Sequence, residues 1–169
     1  MFSVRQLYDL QLLDWDIQSH EQELADVNGR LADDSERIAA KNLLAGLETK
    51  LGELGPAGRL AEGAVQQTEQ RLAAIDTRVY SGMITNPREL EAIEDEKAAL
   101  QHQHSEQEDT LLTIMVDTDE TQENKDRAQA KFESINSHRE EELVELQASR
   151  ETLTAELPLL HERREDMVV

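Results

Sequence analysis

His102 and His104, followed by Glu106 and Glu108, are the residues whose types could hold a metal ion. A helix brings ligands together at i and i+4. His104 and Glu108 have that spacing, but His104 also falls in an apolar seam and His102 does not. A seam or solvated histidine is therefore expected rather than a metal site. His20 lies in a seam row as well and is read in the same way. The chain has no cysteine, which excludes disulfides and thiolate ligands within it. Its 37 acidic residues are so many that carboxylate pairs at i, i+3 and i, i+4 arise by chance. General acid–base chemistry needs a pocket that drives two pKa values apart. A glycine-rich phosphate loop, a nucleophile elbow and a Walker pattern are all missing. No catalytic residue is expected, and the chain is read as a non-enzyme.

The elements that would carry these residues are long helices. Leu, Ala, Glu, Gln, Lys and Arg dominate, while aromatic residues make up only 3% of the 169 positions. That mix suits narrow helical seams better than a thick core, so no large dry pocket is expected. The formal charge of −20 disfavours phosphate backbones and anionic membranes, and favours solubility and basic partners. No signal core follows Met1, and no run approaches the roughly 18 to 20 apolar residues of a membrane span. A cytoplasmic location is the default expectation.

Apolar residues repeat every seven along the first arm: Leu10, Ile17, Leu24, Leu31 and Ile38. A weaker row runs Leu13, His20, Val27, Asp34 and Lys41. The pattern then changes phase to Leu44, Leu47, Leu51 and Leu54, as in a stutter. Gly55-Pro56-Ala57-Gly58 predicts a kink or short break. Val65, Thr68, Leu72, Ile75 and Val79 resume the seam. The clearest turn signal spans Tyr80 to Pro87: Gly82 permits left-handed angles, Asn86 is a good N-cap and Pro87 suits the first helical position. Glu89 completes a capping-box pattern. The second arm then keeps one register. One row runs from Leu90 through Lys97, His104, Leu111, Thr118, Lys125, Phe132, Arg139, Leu146 and Leu153 to Leu160. The other runs from Ile93 through Leu100, Gln107, Ile114, Thr121, Ala128, Ile135 and Glu142 to Ser149. Pro158 predicts a bend or break near its end.

The expected fold is all-α, a long antiparallel two-helix coiled-coil hairpin occupying residues 1–169. Arm one covers 2–80 with a break at 55–58, the tip 81–86, and arm two 87–165. Each arm would run on the order of 110 Å. Residues whose numbers total about 167 should face one another. Gly55-Pro56 then lies opposite the region of Leu111.

Such a hairpin works by presenting surfaces. Tyr80, Met83 and Ile84 are apolar at a turn where small polar residues would suffice, which marks a candidate contact site. Arg78 and Arg88 make the tip the least acidic part of the chain. Tyr8 and Trp15, seven residues apart, either pack at the base of the hairpin or dock a partner. Leftover apolar positions such as Leu143 and Leu157 could support a weak homodimer; the alternative is a monomer.

The string from Val79 to Glu96, with Tyr80-Ser81-Gly82 and Asn86-Pro87-Arg88-Glu89-Leu90, resembles the tip of a bacterial family. Its members join a coiled-coil hairpin to a C-terminal C4-type zinc ribbon. Leu7 to Ile17 is similar as well. The resemblance covers essentially the whole chain and is most specific at the tip. It implies a non-enzymatic adaptor whose tip (Tyr80, Met83, Ile84, Asn86, Pro87, Arg88, Glu89) and base (Tyr8, Trp15) meet partner proteins. Chlamydial and Helicobacter members are linked to sigma-54 and to secretion or flagellar assembly, which suggests a sigma factor or secretion components as partners. The alternative it implies is an RNA-binding protein whose hairpin positions the ribbon. The ribbon's cysteines are absent, so zinc and any nucleic-acid binding through a ribbon are expected to lie beyond Val169. Residues 1–169 themselves are expected to hold no cofactor.

Overall fold

The computed structural model describes residues 4–82, 84 and 86–168. Three helices follow one another: α1 (Val4–Ala32), α2 (Ser35–Tyr80) and α3 (Pro87–Val168). They form an antiparallel coiled-coil hairpin, with no strand among the described residues. Two compact units divide it, residues 1–41 with 130–169, and residues 42–129. No helix is long and apolar enough to cross a membrane among the described residues.

In the first unit α1 lies against the later part of α3. Leu13, Ile17 and Val27 are buried from α1, and Arg139, Leu146 and Leu153 from α3. Val27, Leu146 and Leu153 form a small core on which Leu24 and Leu31 pack. In the second unit Val65 and Thr68 of α2 and Ile93, Thr121 and Ala128 of α3 are buried. The Thr68 hydroxyl lies 2.7 Å from Gln107 Oε1 across the seam and 3.1 Å from the Ala64 carbonyl. It has one proton for these two acceptors, and turning the Gln107 amide over satisfies both. All the second-arm seam positions predicted from the heptads are buried or half-buried except Leu90. That register holds because α3 contains no glycine and is not interrupted.

The first arm differs from expectation. The break expected at 55–58 is not there, since α2 stays helical through Pro56. Burial of Val65 and Thr68 in the following turns holds the helix together despite the lost donor. The helix ends instead at Ala32 and restarts at Ser35. Asp33-Asp34 makes this joint: the Asp33 carboxylate accepts the Ser35 N–H at 3.0 Å, and the Asp34 carbonyl accepts the Ile38 N–H. Carboxylates at a helix start complement its dipole. The phase change is taken up here, so Arg37 and Ala40 are half-buried while Ile38 and Lys41, placed in the seam by sequence, are exposed. Pro158 likewise does not end the second arm, because α3 continues to Val168.

The pairing is also offset from the expected rule. Asp76 bonds Lys97 and Glu48 lies near Lys125, roughly six positions beyond the partner that a total of 167 assigns. Val79 and Ile93 are the first seam residues on either side of the turn, and Leu90 stays 38% exposed, because the capping turn at Asn86 stands outside the seam. In the first unit the offset grows along α1 away from the joint, from Arg30 bonded to Glu142 to His20 near Glu156 and Asp14 bonded to Arg164.

Pro56 still costs its helix a hydrogen bond. Pro56→Ala should keep the fold and raise stability by about 1–2 kcal/mol, the helix-interior penalty less the entropy that alanine returns to the unfolded chain. Urea unfolding of the two proteins checks this.

Candidate interaction surfaces

The turn is built by its own residues. Gly82 has φ 68°, a conformation that side chains disfavour. Asn86 Oδ1 accepts the Arg88 N–H at 3.1 Å, and its carbonyl accepts from Glu89 and Leu90. Asn86 is thus the N-cap and Pro87 the first helical residue, as predicted. The capping box is only half formed, because the Glu89 carboxylate takes a 2.7 Å hydrogen bond from Arg78 across the turn. Arg78 and Glu89 neutralise one another, so Arg88 is left as the exposed cation of the turn. Tyr80 is 86% exposed and Ile84 half-buried; Met83 lies outside the described residues. Among the nominated tip residues, Asn86, Pro87 and Glu89 shape the turn while Tyr80 and Arg88 face outward.

At the other end, Tyr8 and Trp15 are 60% and 74% exposed. Neither packs into the seam. Val4, Leu7 and Leu12 are exposed beside them. Sequence reasoning singled out the two aromatics but missed these aliphatic neighbours, although the spacings 4, 8, 12 and 15 place them along one helical stripe. A groove lined by Asp9, Leu12, Leu13, Asp16, Arg163 and Met167 runs alongside.

The Asp33-Asp34 joint is the most organised polar cluster. Arg139 of α3, a residue read from sequence only as a seam position, donates to the Arg30 and Leu31 carbonyls at 2.9 and 3.1 Å and to Glu142 at 2.8 Å. It thereby gives the Leu31 carbonyl a donor and the Arg30 carbonyl, which also accepts the Asp33 N–H at 3.3 Å, a second one at the end of α1. Its Nε has no hydrogen-bond partner, with Asp34 3.8 Å away. Arg30 also bonds Glu142, and these two arginines, Arg30 first, hold the Glu142 carboxyl below its ordinary range. The hydrogen bonds from Ser35 do the same for Asp33. A recess of about 430 Å³ opens here, lined in part by Arg37, Ser134 and His138. Its arginines are matched by Asp33, Asp34, Glu36 and Glu142, so it has no net preference for an anion.

His104 is largely covered, 3.4 Å from Glu69 across the seam and 3.3 Å from Glu108 on its own helix. His102 pairs only with Glu106, at 3.6 Å on the outer face. The structure therefore does not bring the two histidines together. Among the described residues no group of three or more His, Cys, Asp or Glu is placed to hold a metal ion. With no cysteine in the chain, the zinc of a C4 ribbon has no thiolate ligands here.

Comparison with known proteins agrees with this geometry. The family described as the CT398-like coiled coil hairpin domain matches residues 10–169. The solved structure of the HP0958 protein from Helicobacter pylori is similar, with a TM-score of 0.69 and 16% sequence identity over 98% of this chain and 69% of that one. No curated protein matches by sequence.

Proposed function

We propose, from the premise that the chain belongs to the CT398-like coiled coil hairpin domain family, that it is a non-enzymatic scaffold whose outward aromatic residues bind partner proteins. One observation carries this reading. The chain has one Trp, two Tyr and two Phe. Trp15, Tyr8 and Tyr80 are all more than half exposed. Burying an aromatic ring is among the largest stabilising contributions a side chain can make, and this chain turns most of its few rings to water. Exposed Tyr and Trp are the residue types that anchor protein interfaces. The acidic surface adds a preference for basic partners. The resemblance at the tip puts a sigma-54 factor and secretion or flagellar components first among the partners to try. Nucleic-acid binding by these residues is not part of this reading, because the charge of −20 opposes phosphate contacts.

Nuclease-treated lysate passed over the immobilised chain tests the reading. Capture of a specific protein should survive the nuclease. Tyr80→Ala combined with Ile84→Ala should weaken capture roughly tenfold while helicity by circular dichroism stays the same. If capture vanishes with the nuclease, the scaffold reading fails. If it is indifferent to the tip substitutions, the tip is not the contact.

A further inference from the structure

Val4, Tyr8, Leu12 and Trp15 follow one another at helical spacings of four, four and three, with Leu7 flanking them. At 100° per residue this stripe lies on the side of α1 opposite Leu13, Ile17 and Val27, the buried residues of the seam. The five stripe residues are between 46% and 86% exposed. Beyond Trp15 the exposed positions of α1 are polar or small, including Gln18, Glu21, Gln22 and Asp26. An outward apolar face confined to three turns is a patch, not scattered surface hydrophobicity.

Resting on the reading of the outward aromatics as partner-binding, we propose that the partner at this stripe is a second copy of the chain, with the two α1 helices packed antiparallel across a two-fold axis. Tyr80 at the turn stays open to other proteins. Three features select a second copy as the occupant. First, the stripe is nearly symmetric about its own middle. In the antiparallel register Tyr8 faces Leu12 of the second copy, and Leu12 faces its Tyr8, as an isologous contact requires. Second, the charges complement each other. The same register sets Arg5 over Trp15 of the other copy, with Asp16 beside it. Neither Arg5 nor the Asp16 carboxylate has an ion pair among the described residues. A guanidinium over an indole next to a carboxylate gains both a cation–π and an ionic contact, and symmetry forms the set twice. Third, the area fits. Two large aromatics and three aliphatics offer on the order of 600 Å² per chain, near the roughly 800 Å² that each partner contributes to a standard interface.

The acidic surfaces of the two copies oppose this contact, so it should tighten as salt screens them. At roughly 0.01 M ionic strength the screening length is about 30 Å, and at 0.15 M about 8 Å. Trp15 is the single tryptophan, so its fluorescence reports its own burial.

Sedimentation equilibrium of the whole chain at several salt concentrations, with tryptophan emission read in parallel, tests the proposal. A dimer that strengthens with salt and shifts Trp15 emission to the blue is expected. Tyr8→Ala should weaken it roughly tenfold or more. Arg5→Glu and Asp16→Arg should each weaken it, and the double swap should restore it. Tyr80→Ala should leave it unchanged, which separates this contact from the tip. A monomer at all salt and protein concentrations would overturn the proposal. So would a dimer indifferent to Tyr8→Ala, or a charge swap without rescue.

Discussion

Arg139→Ala should destabilise the unit made of residues 1–41 and 130–169 by about 3 kcal/mol. The guanidinium is about nine-tenths buried, and it is the group on α3 that holds the end of α1. Alanine leaves the Leu31 carbonyl without its donor and the Arg30 carbonyl with only the longer Asp33 N–H contact, and leaves Asp34 and Glu142 without a shared cation. Removing one partner of a buried charged network costs more than the network contributes net, because the remaining groups stay poorly solvated. The unpaired Nε already makes the arrangement imperfect, which keeps the loss toward the lower end of the range. Arg139→Lys should recover part of the stability, since an ammonium supplies charge but lacks the planar fork that reaches two carbonyls and a carboxylate together. The order wild type, Lys, Ala in urea midpoints is the expected result. Equal midpoints for Lys and Ala would mean that charge contributes nothing.

The same loss should depend on pH in a defined direction. Glu142 has a folded pKa below its unfolded value, owing to Arg30 first and Arg139 next. The stability linked to a depressed carboxylate is present above the unfolded pKa and disappears as pH falls through the folded one. The gap between wild type and Arg139→Ala should therefore narrow in acid, below the ordinary glutamate range. Comparing the two proteins cancels the general relief of acidic repulsion that both gain on protonation. A gap that stays constant down to pH 3 would remove Glu142 from the account.

This joint also shows what the sequence could and could not reveal. The heptad rows identified the seam of α3 almost completely, because an unbroken helix with apolar residues every seven positions leaves little freedom in what it buries. The phase change between Leu31 and Leu44 was legible too. It sets in earlier than the heptads placed it, ahead of Ile38 and Lys41, and the helix break was expected at Gly55-Pro56 because that is a strong local breaker and Asp33-Asp34 a quiet one. Local propensity lost to packing at Pro56, where the turns that follow carry Val65 and Thr68 into the seam. At Asp33-Asp34 the deciding partner, Arg139, lies more than a hundred residues away, beyond the reach of any local signal. The tip was legible down to its cap, since Asn86-Pro87 and Gly82 act through their own backbone. The Arg78–Glu89 pair was not, because it depends on how the two arms meet.

Leu153→Ala should be among the most damaging apolar truncations, with a loss of about 2–3 kcal/mol. Leu153 is 5% exposed and shares the small core with Val27 and Leu146. A seam only two helices wide has no second layer of side chains to move into the space left by the leucine. Water can reach such a site more easily than a globular core, however, which keeps the cost below the upper values seen for buried leucines. Val144, in the same helix but 68% exposed, is the control, and its truncation should cost less than about 0.5 kcal/mol. Hydrogen exchange should place the loss: amides of α1 around Val27 should lose protection with those of α3 around Leu153, because each helix is stabilised mainly by the face it buries in the other. If Leu153→Ala lowered protection in α3 alone, α1 would not depend on this core, and the antiparallel pairing of Val27 with Leu146 and Leu153 would be wrong.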